Sequence, residues 1–254
     1  MATVYLPLGL LLALCGGLSA VSTYKDTRLK FVSHEALNKH DKTEYTDCHH
    51  LRHTGGYNVS GVYTLHLNSS WPYPVHCEHT ADISYTVIQR RSDGSVHFQR
   101  KFNEYYYGFG YPQSDYWMGL ITMYHLTNAG NNVLTINMQT WDGQARNARY
   151  SMFKLLDPTN FVLHIGGFSG QVPDDLGFNN GMPFATSDRP DRNLCAVYQK
   201  AGWWYNYCTY ALPTGNYYYG RYQPTGGYYD GIYWKDWTGY DYSLKFFSMS
   251  LSRQ

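Results

Sequence analysis

The stretch that decides the fold of this chain reads DRPDRNLCAVYQKAGWWYNYC (188–208) and continues as TYALPTGNYYYGRYQPTGGYYDGIYWKDWTGYDY (209–242). It places Cys195 and Cys208 among Gly, Asp, Tyr and Trp. Glycine allows backbone turns that other residues resist, and aromatic rings either fill a core or line a recognition surface. Because the stretch has little helical or strand periodicity, it predicts a disulfide-stapled platform of loops on a scaffold built by the rest of the chain.

The scaffold is predicted from segments in which apolar and polar residues alternate. Such alternation is typical of strands in a partly buried antiparallel sheet. The predicted strands are 61–67, 84–91, 94–100, 132–141, 148–155 and 160–168. Short helices are predicted at 103–108, 119–127, 174–178 and 198–200. The fold class is therefore α+β, in one large domain.

The sequence WWYNYC (203–208) followed by TYALPTG (209–215) resembles the tryptophan-pair signature of the fibrinogen C-terminal domain. This is the recognition module of ficolins, tachylectins and angiopoietins, and the family usually has Asn-Gly at Thr214-Gly215. Further matches, in the family's order, are TVIQRRSDGSVHF (86–98), YYYGFGYPQSDYWMGL (105–120), ARYSMFKL (148–155) and WTGYDYSLKFFSMSL (237–251). The resemblance covers residues 45–254. It implies a disulfide-stapled N-terminal lobe, a central antiparallel sheet and a loop-rich, ligand-binding C-terminal lobe.

The first 44 residues are predicted to lie outside that domain. Residues 1–20 contain the apolar run LPLGLLLALCGG, which has the length of a signal-peptide core although no Lys or Arg precedes it. Residues 21–44 are polar and irregular, with neither Gly-X-Y triplets nor heptads. We expect a secreted protein without a membrane span, whose multivalency would come from self-association of the domain, from the short tail or from a partner.

The cysteines agree with export. Of five cysteines, Cys15 belongs to the predicted signal peptide, which leaves an even number in the mature chain. Sequence alone permits three connectivities; proximity favours Cys48–Cys77 and Cys195–Cys208, and the family resemblance implies the same pairs. Zinc ligation is the competing interpretation, but no C-x-x-C or C-x-x-H pair is present. Two glycosylation sequons, at Asn58 and Asn68, also fit secretion.

Composition argues against several other functions. The net charge is +1 and the basic residues are scattered, so neither a nucleic acid nor an anionic membrane is indicated as a partner. The string Gly167-Phe168-Ser169-Gly170 lacks the spacing of a hydrolase nucleophile. Asp174 and Asp175 have no evident acid/base partner, so we predict that the protein is not an enzyme.

Three histidines, His49, His50 and His53, cluster beside Cys48. Their simplest interpretation is a polar lobe near a disulfide, with a metal site as the alternative.

The loop PFATSDRPDRNLC (183–195) is the candidate calcium site. Calcium prefers six to eight oxygen ligands, and the family places a run of acids before the first cysteine of this pair. Here Asp188 matches the first acid, Pro190 stands where an acid is expected, and Asp191 is the second carboxylate. The alternative is a turn in which Arg189 and Arg192 pair with these acids. Both interpretations stay open.

The resemblance also implies a small pocket beside Cys208. In lectin members an acetyl group enters an aromatic cavity, and a cis peptide bond, here Tyr207–Cys208, turns backbone N–H groups toward it. Thr209 stands where lectin relatives often carry His, and Gln199 replaces a pocket aromatic residue. The ligand-binding residues predicted in this way are Tyr198, Gln199, Tyr207, Cys208, Thr209, Tyr228 and Tyr229.

Two functions follow from these expectations. The first is a secreted, non-enzymatic lectin of innate-immune type that binds acetylated or related glycans through the C-terminal lobe. The alternative is a protein-binding ligand or matrix component of the angiopoietin and fibrinogen type, which would meet a receptor through a larger aromatic surface. In either case we expect Trp203, Trp204, Trp234 and Trp237 to pack in the core rather than contact the ligand.

Overall fold

A computed structural model describes residues 44–67 and 71–254. The predicted signal peptide, nearly all of the polar segment and the Asn68 sequon lie outside these ranges, whereas Asn58 lies within them and is exposed. In the described ranges, no helix is both long and apolar enough to cross a bilayer.

The fold is α+β, as predicted, and is built around an antiparallel sheet. The strands are β1 (Gly61–Leu67), β2 (Trp71–His79), β3 (Ser84–Arg91), β4 (Phe109–Gly110), β5 (Tyr116–Trp117), β6 (Val133–Gln139), β7 (Ala145–Leu155), β8 (Leu163–Gly170), β9 (Ala211–Leu212), β10 (Gly220–Arg221), β11 (Tyr233–Trp234), β12 (Tyr242–Ser243) and β13 (Phe246–Ser252). The main sheet has the order β1-β2-β3-β13-β6-β7-β8, and β5 extends it by pairing with both β3 and β4.

The C-terminal strand β13 occupies the middle of this sheet, between β3 and β6. Phe247, Met249 and Leu251 alternate with serines, as expected for a strand, yet the serines are buried as well. Both faces of β13 are thus covered, and this polar alternation does not mark a solvent face. Strand β13 was not among the predicted strands, although its alternation carries the strand signal.

Strand β2 was also missed, because Pro72 and Pro74 argue against a strand. The structure places both prolines opposite β1 residues, whereas β2 pairs with β3 only from Cys77 to His79. The prolines therefore lie where β2 has a partner on one side only, which is the kind of position where sheets tolerate proline.

The predicted strand at 94–100 is wrong. Val96 and Phe98 are buried, as the alternation suggested, but the segment belongs to no strand. Side chains hold it instead: Asp93 accepts hydrogen bonds from Ser95 N–H at 2.9 Å and Ser114 Oγ at 2.7 Å. Burial alternates here because an irregular segment packs alternate side chains onto the core, without a strand partner.

The described helices are short: α1 (Cys48–Gly55), α2 (Phe102–Tyr107), α3 (Leu120–Asn128), α4 (Cys195–Tyr198) and α5 (Lys235–Thr238). The predictions at 103–108 and 119–127 match α2 and α3. The prediction at 174–178 is a 3₁₀ turn at Gly177–Asn179, and the helix predicted at 198–200 ends at Tyr198 instead. Helix α1 was not predicted.

The N-terminal lobe is joined to the sheet by the Cys48–Cys77 bridge, whose Cα atoms are 5.5 Å apart. Asp47 caps α1 by accepting a hydrogen bond from His50 N–H at 2.8 Å. The same buried carboxylate receives Arg253 Nη2 at 2.6 Å, which ties α1 to the end of the chain. Burial acts to raise the pKa of Asp47, but the hydrogen bonds from Arg253, His50 and Asn131 hold it below its usual value.

The tryptophans of the deciding stretch pack as predicted. Trp203, Trp204 and Trp234 are fully buried, and Trp237 is half-buried. Trp204 lies edge-on to Phe184 at 5.1 Å and contacts Trp117 at 6.2 Å between ring centroids. These contacts fasten the C-terminal lobe to the sheet through a shared aromatic core.

Candidate functional site

The C-terminal lobe is centred on the Cys195–Cys208 bridge, whose Cα atoms are 5.1 Å apart. The bridge joins α4 to the loop that precedes β9. Within the described ranges five non-glycine residues have a left-handed φ, and four of them lie here: Leu194, Lys200, Tyr207 and Cys208. Strained backbone of this kind persists only where the surroundings enforce it, and it concentrates at functional sites.

The predicted cis bond is wrong, because no peptide bond between described residues is cis. Tyr207 and Cys208 instead have consecutive φ angles of 47° and 61°. Two left-handed residues in a row reverse the chain, and Asn206 N–H donates to Cys208 O at 2.8 Å across the turn. The backbone is thus turned by its φ angles around a trans bond.

Thr209 does not reach the surface. It is 2% exposed, and its hydroxyl lies 2.7 Å from Ala211 O and 3.0 Å from Asn179 Oδ1. Asn179 in turn donates from Nδ2 to Trp204 O at 2.6 Å. The hydroxyl therefore ties the 3₁₀ turn to the loop after Cys208, and its hydrogen-bonding capacity is used inside the protein.

Gln199 is also internal, at 4% exposure. Its Nε2 donates to Tyr229 O and to the Tyr233 hydroxyl, both at 2.7 Å. Of the predicted pocket residues, Gln199 and Thr209 thus act as supports beneath the surface. Gln199, which stands where the resemblance implied an aromatic pocket wall, therefore supports the loops from inside through its amide.

Three of the other predicted residues, Tyr198, Tyr207 and Tyr228, lie at the surface. Tyr198 and Tyr228 are 41% and 39% exposed and stack in parallel, with ring centroids 4.4 Å apart and an interplanar angle of 5°. Tyr207 is 82% exposed. Leu194 and Val197, on either side of the buried Cys195 and Ala196, are exposed as well. We call this group of five the bridge patch: Leu194, Val197, Tyr198, Tyr207 and Tyr228.

Asp230 organises the loops behind the patch. Its buried carboxylate receives Asn216 Nδ2 at 2.9 Å, the Tyr218 hydroxyl at 3.1 Å and Lys200 Nζ at 3.3 Å. Burial, together with the charge of Asp230, raises the pKa of Tyr218, so its hydroxyl stays a donor. Gly215 is required beside this point, since a Cβ there would lie 2.2 Å from Gly231 O.

Tyr229 is half-buried behind the patch, stacked on Tyr240 with ring centroids 5.7 Å apart. Trp141 and Tyr219 line a separate cleft of about 530 Å³, with ring centroids 4.0 Å apart and the rings tilted by 39°, and Tyr219 is 80% exposed. That pair offers an exposed tyrosine outside the bridge patch, which is useful as a control.

The two acids of the loop at 183–195 accept hydrogen bonds from other groups of this chain. Asp188 Oδ1 accepts from Phe102 N–H at 2.9 Å and from Thr186 Oγ1 at 2.8 Å. Partial burial acts to raise the pKa of Asp188, but these hydrogen bonds hold it below its usual value. Asp191 accepts from Asn193 N–H at 3.0 Å and from Ala196 N–H at 2.9 Å, which caps α4.

Arg189 does not pair with either acid as the alternative interpretation expected. Its guanidinium donates to Thr159 O at 2.8 Å and to Asn160 Oδ1 at 2.6 Å. It also lies 4.4 Å from the centroid of the Phe102 ring. In the described ranges no group of three His, Cys, Asp or Glu side chains converges on a point that could hold a metal.

One acidic pair was missed. Asp175 is fully buried, and its Oδ2 accepts from Asp236 N–H at 2.9 Å, while its Oδ1 has no hydrogen-bond partner in the described ranges. Burial, with the neighbouring Asp236 carboxyl, raises the pKa of Asp175 to about 7. Sixty-one positions separate the two residues, so no local pattern could have predicted the pair.

Comparison with known proteins identifies the family of this chain. Residues 44–254 match the family model for the C-terminal globular domain of fibrinogen beta and gamma chains. The chain belongs to this family, and the three-lobed architecture implied by the resemblance is confirmed.

Similar proteins include angiopoietin-related proteins. Mouse angiopoietin-related protein 6 is 37% identical over 204 residues, which cover 76% of this chain and 43% of that protein. The chain therefore spans less than half the length of this relative. The fibrinogen-like globe domain of human ANGPTL2 has a TM-score of 0.77 at 37% identity, and the match covers 82% of this chain and 98% of that domain.

A third similar structure carries a ligand. Lamprey fibrin D-dimer, complexed with the peptide Gly-His-Arg-Pro-amide, has a TM-score of 0.78 at 31% identity. The match covers 85% of this chain and 76% of the lamprey chain.

Proposed function

We propose that this chain is an extracellular, protein-binding recognition domain and that the bridge patch is its contact surface. The observation that carries the proposal is the division of roles around Cys195–Cys208. The Nε2 of Gln199 and the hydroxyl of Thr209 are used in internal hydrogen bonds, whereas five large apolar side chains face solvent.

Exposed apolar side chains of this kind are suited to a protein partner. Clustered exposed aromatics mark interaction sites, and tyrosines dominate the energetics of many interfaces. The stack of Tyr198 on Tyr228 holds both rings in one orientation, and the disulfide holds α4 against the Tyr207 turn. Since little side-chain freedom is left to lose, a partner would bind this surface at a low entropic cost.

The relatives support the same class of ligand. The similar lamprey fibrin domain holds a short peptide, and the matched mammalian proteins are angiopoietin-related. We propose by analogy that the ligand of this chain is a polypeptide segment of a cell-surface or matrix protein. The predicted signal peptide and sequons fit that extracellular setting.

Glycan binding, the alternative function, would require other features of the same lobe. A sugar would stack its apolar face on Tyr228 or Tyr229 and would need directed polar groups beside them. It would also need several copies for useful avidity, hence self-association of the domain or a partner that clusters it.

Protein binding and glycan binding are distinguished by treating the surface of the target cells with a protease or with enzymes that remove glycans. The full-length secreted protein, fluorescently labelled, is applied to a panel of cell lines before and after surface proteolysis, and before and after enzymatic removal of glycans. The same protein is applied to a glycan array with and without a calcium chelator. Tyr228→Ala and Tyr207→Ala are compared with wild type, and Tyr219→Ala is the matched exposed-tyrosine control.

We expect proteolysis to abolish binding and deglycosylation to leave it. Tyr228→Ala should weaken it by at least about 2 kcal/mol, roughly thirtyfold, as expected for a central aromatic contact, while Tyr219→Ala changes it less than twofold. Binding that survives proteolysis, is lost on deglycosylation and appears on the array would establish the lectin function instead. If Tyr228→Ala and Tyr219→Ala weaken binding equally, the bridge patch is not the contact surface.

Calcium remains a proposal for the loop that contains Asp188 and Asp191. The residues fit in part: two carboxylates lie three positions apart, and the other oxygens would have to be main-chain carbonyls and water. Each carboxylate already accepts two hydrogen bonds from this chain. An ion here would stabilise the start of α4 and therefore one side of the bridge patch.

A further inference from the structure

The three histidines of α1 have two different environments. His50 turns toward the chain that precedes the helix, where its Nδ1 lies 3.3 Å from both the N and the Oγ1 of Thr46. His49 and His53 instead face each other, with ring centroids 4.1 Å apart and an interplanar angle of 34°. They are four positions apart, and side chains at that spacing lie on the same face of a helix.

The helix that carries the pair is firmly anchored. Cys48, beside His49, is bridged to β2, and Arg52, beside His53, donates to Thr80 O at 2.8 Å and Ala81 O at 2.7 Å. His53 is exposed and His49 is half-buried, so both rings are accessible from one side. An anchored helix keeps the two rings at a set separation, which pre-organises them for a shared ligand.

We propose that His49 and His53 form a two-histidine site for a divalent transition-metal ion, of the class Cu²⁺, Ni²⁺ or Zn²⁺. Imidazole nitrogen suits these ions, whereas Ca²⁺ and Mg²⁺ prefer oxygen. A metal–nitrogen distance of about 2.0–2.1 Å at a tetrahedral angle puts the two nitrogens roughly 3.3 Å apart. Rings whose centroids are 4.1 Å apart reach that spacing by small rotations.

Two protein ligands leave the other coordination positions to water or to a donor from a second molecule. Two basic groups lie near the pair. The charge of Arg253, close to His49, is offset by Asp47 at 2.6 Å, and the guanidinium of Arg52, beside His53, is directed to the carbonyls of Thr80 and Ala81. The site lies in the N-terminal lobe, so it is independent of the bridge patch and of the proposed calcium loop.

The same geometry would also arise if the rings only stacked on each other, and metal titration separates the two cases. Cu²⁺ is titrated into the full-length protein by calorimetry, and the bound ion is examined by electron paramagnetic resonance. The variants are His53→Ala and His49→Gln. His50→Asn is the matched control, since it removes a histidine of the same helix that lies outside the pair.

We expect one tight ion per chain with a resonance pattern typical of two coordinating nitrogens. His53→Ala and His49→Gln should each weaken that site at least about tenfold, because the second ligand binds at a high effective concentration. His50→Asn should leave affinity and spectrum unchanged. Ca²⁺ should not compete.

The proposal is overturned if wild type and His53→Ala bind Cu²⁺ equally well with the same spectrum. It is equally overturned if His50→Asn weakens binding as much as the pair variants do. Circular dichroism of each variant checks that the fold is intact, and His53→Ala changes an exposed side chain.

Discussion

The buried ion pair of Arg91 and Asp115 provides a sharp test of how the C-terminal lobe is attached to the sheet. Arg91, at the end of β3, and Asp115 are both fully buried, with Nε 3.3 Å from Oδ2. The guanidinium also donates to the carbonyls of Pro213 and Gly215 and lies 3.9 Å from the centroid of the Phe98 ring. One side chain thus links the central sheet to the loop beside the recognition surface.

The perturbation is Arg91→Met, which keeps much of the side-chain volume and removes the charge. Asp115 would keep the N–H groups of Ser92 and Asp93 but lose its counter-charge. Breaking a buried pair from one side costs about 3–5 kcal/mol, because an uncompensated charge is left inside. The Gly215 carbonyl also loses its guanidinium donor, and an unsatisfied buried acceptor costs about 1–3 kcal/mol. We therefore expect a loss of at least about 3 kcal/mol.

The neighbouring Arg90 is the matched control. It pairs with Glu78 at 2.6 Å, but both side chains are partly exposed. A pair that is partly open to water is worth less than a fully buried one, so Arg90→Met should cost clearly less than Arg91→Met. The two variants make the same substitution at neighbouring positions of β3, and they differ in the burial of the pair.

The assay is urea unfolding followed by tryptophan fluorescence, with circular dichroism as a second probe of two-state behaviour. The double variant Arg91→Met, Asp115→Asn should be more stable than the sum of the single changes predicts, since the stranded charge is gone. A loss below about 1 kcal/mol for Arg91→Met, or additive effects in the double variant, would refute the reasoning.

Three further predictions concern single buried or capping groups. Between pH 4 and 7 the folded state keeps a proton on Asp175 that the unfolded chain has released, so the free energy of unfolding should fall as pH rises through this window. In urea titrations, the free energy of unfolding of wild type should therefore fall between pH 5 and 8 by at least about 1 kcal/mol more than that of Asp175→Asn. Asp191→Ala should destabilise the protein by about 1 kcal/mol through loss of the α4 cap, and Asp191→Asn should recover only part of that loss, because its single amide oxygen can accept from Ala196 N–H or from Asn193 N–H but not from both; if calcium binds the loop, Asp191→Asn should also abolish any rise of Tm on adding Ca²⁺ after chelation, and wild type that shows no rise would refute the calcium proposal. Tyr105→Phe should cost about 1–3 kcal/mol in the same assay, because Gly202 N–H loses an acceptor at 3.1 Å and Phe98 O a donor at 2.6 Å; an unchanged midpoint would contradict this.

Several features of the fold could be predicted because they are written in neighbouring residues. Alternation over 61–67, 84–91 and 132–141 predicts strands, since side chains along a strand point to opposite faces. The cysteines pair with near neighbours, and the predicted pairs Cys48–Cys77 and Cys195–Cys208 are the ones observed. Motifs spread along the chain were sufficient to place it in its family.

Other features depend on residues that are distant in the chain. The position of β13 between β3 and β6 and the burial of both its faces depend on segments far away in the chain, and β2 tolerates its prolines because β3 leaves that edge free. The strand predicted at 94–100 failed because the segment has no backbone partner, which its own residues do not reveal.

The candidate site also combines features that the local sequence predicts with features that distant contacts decide. Its aromatic character, the bridge and the exposed Tyr198, Tyr207 and Tyr228 were within reach of the sequence. The inward turn of Gln199 and Thr209 was decided by contacts with Tyr233 and Asn179, each about thirty positions away. Periodicity and spacing report which side chains a segment offers to a core or a surface; which of them end inside is set by hydrogen-bond partners brought together only when the whole chain packs.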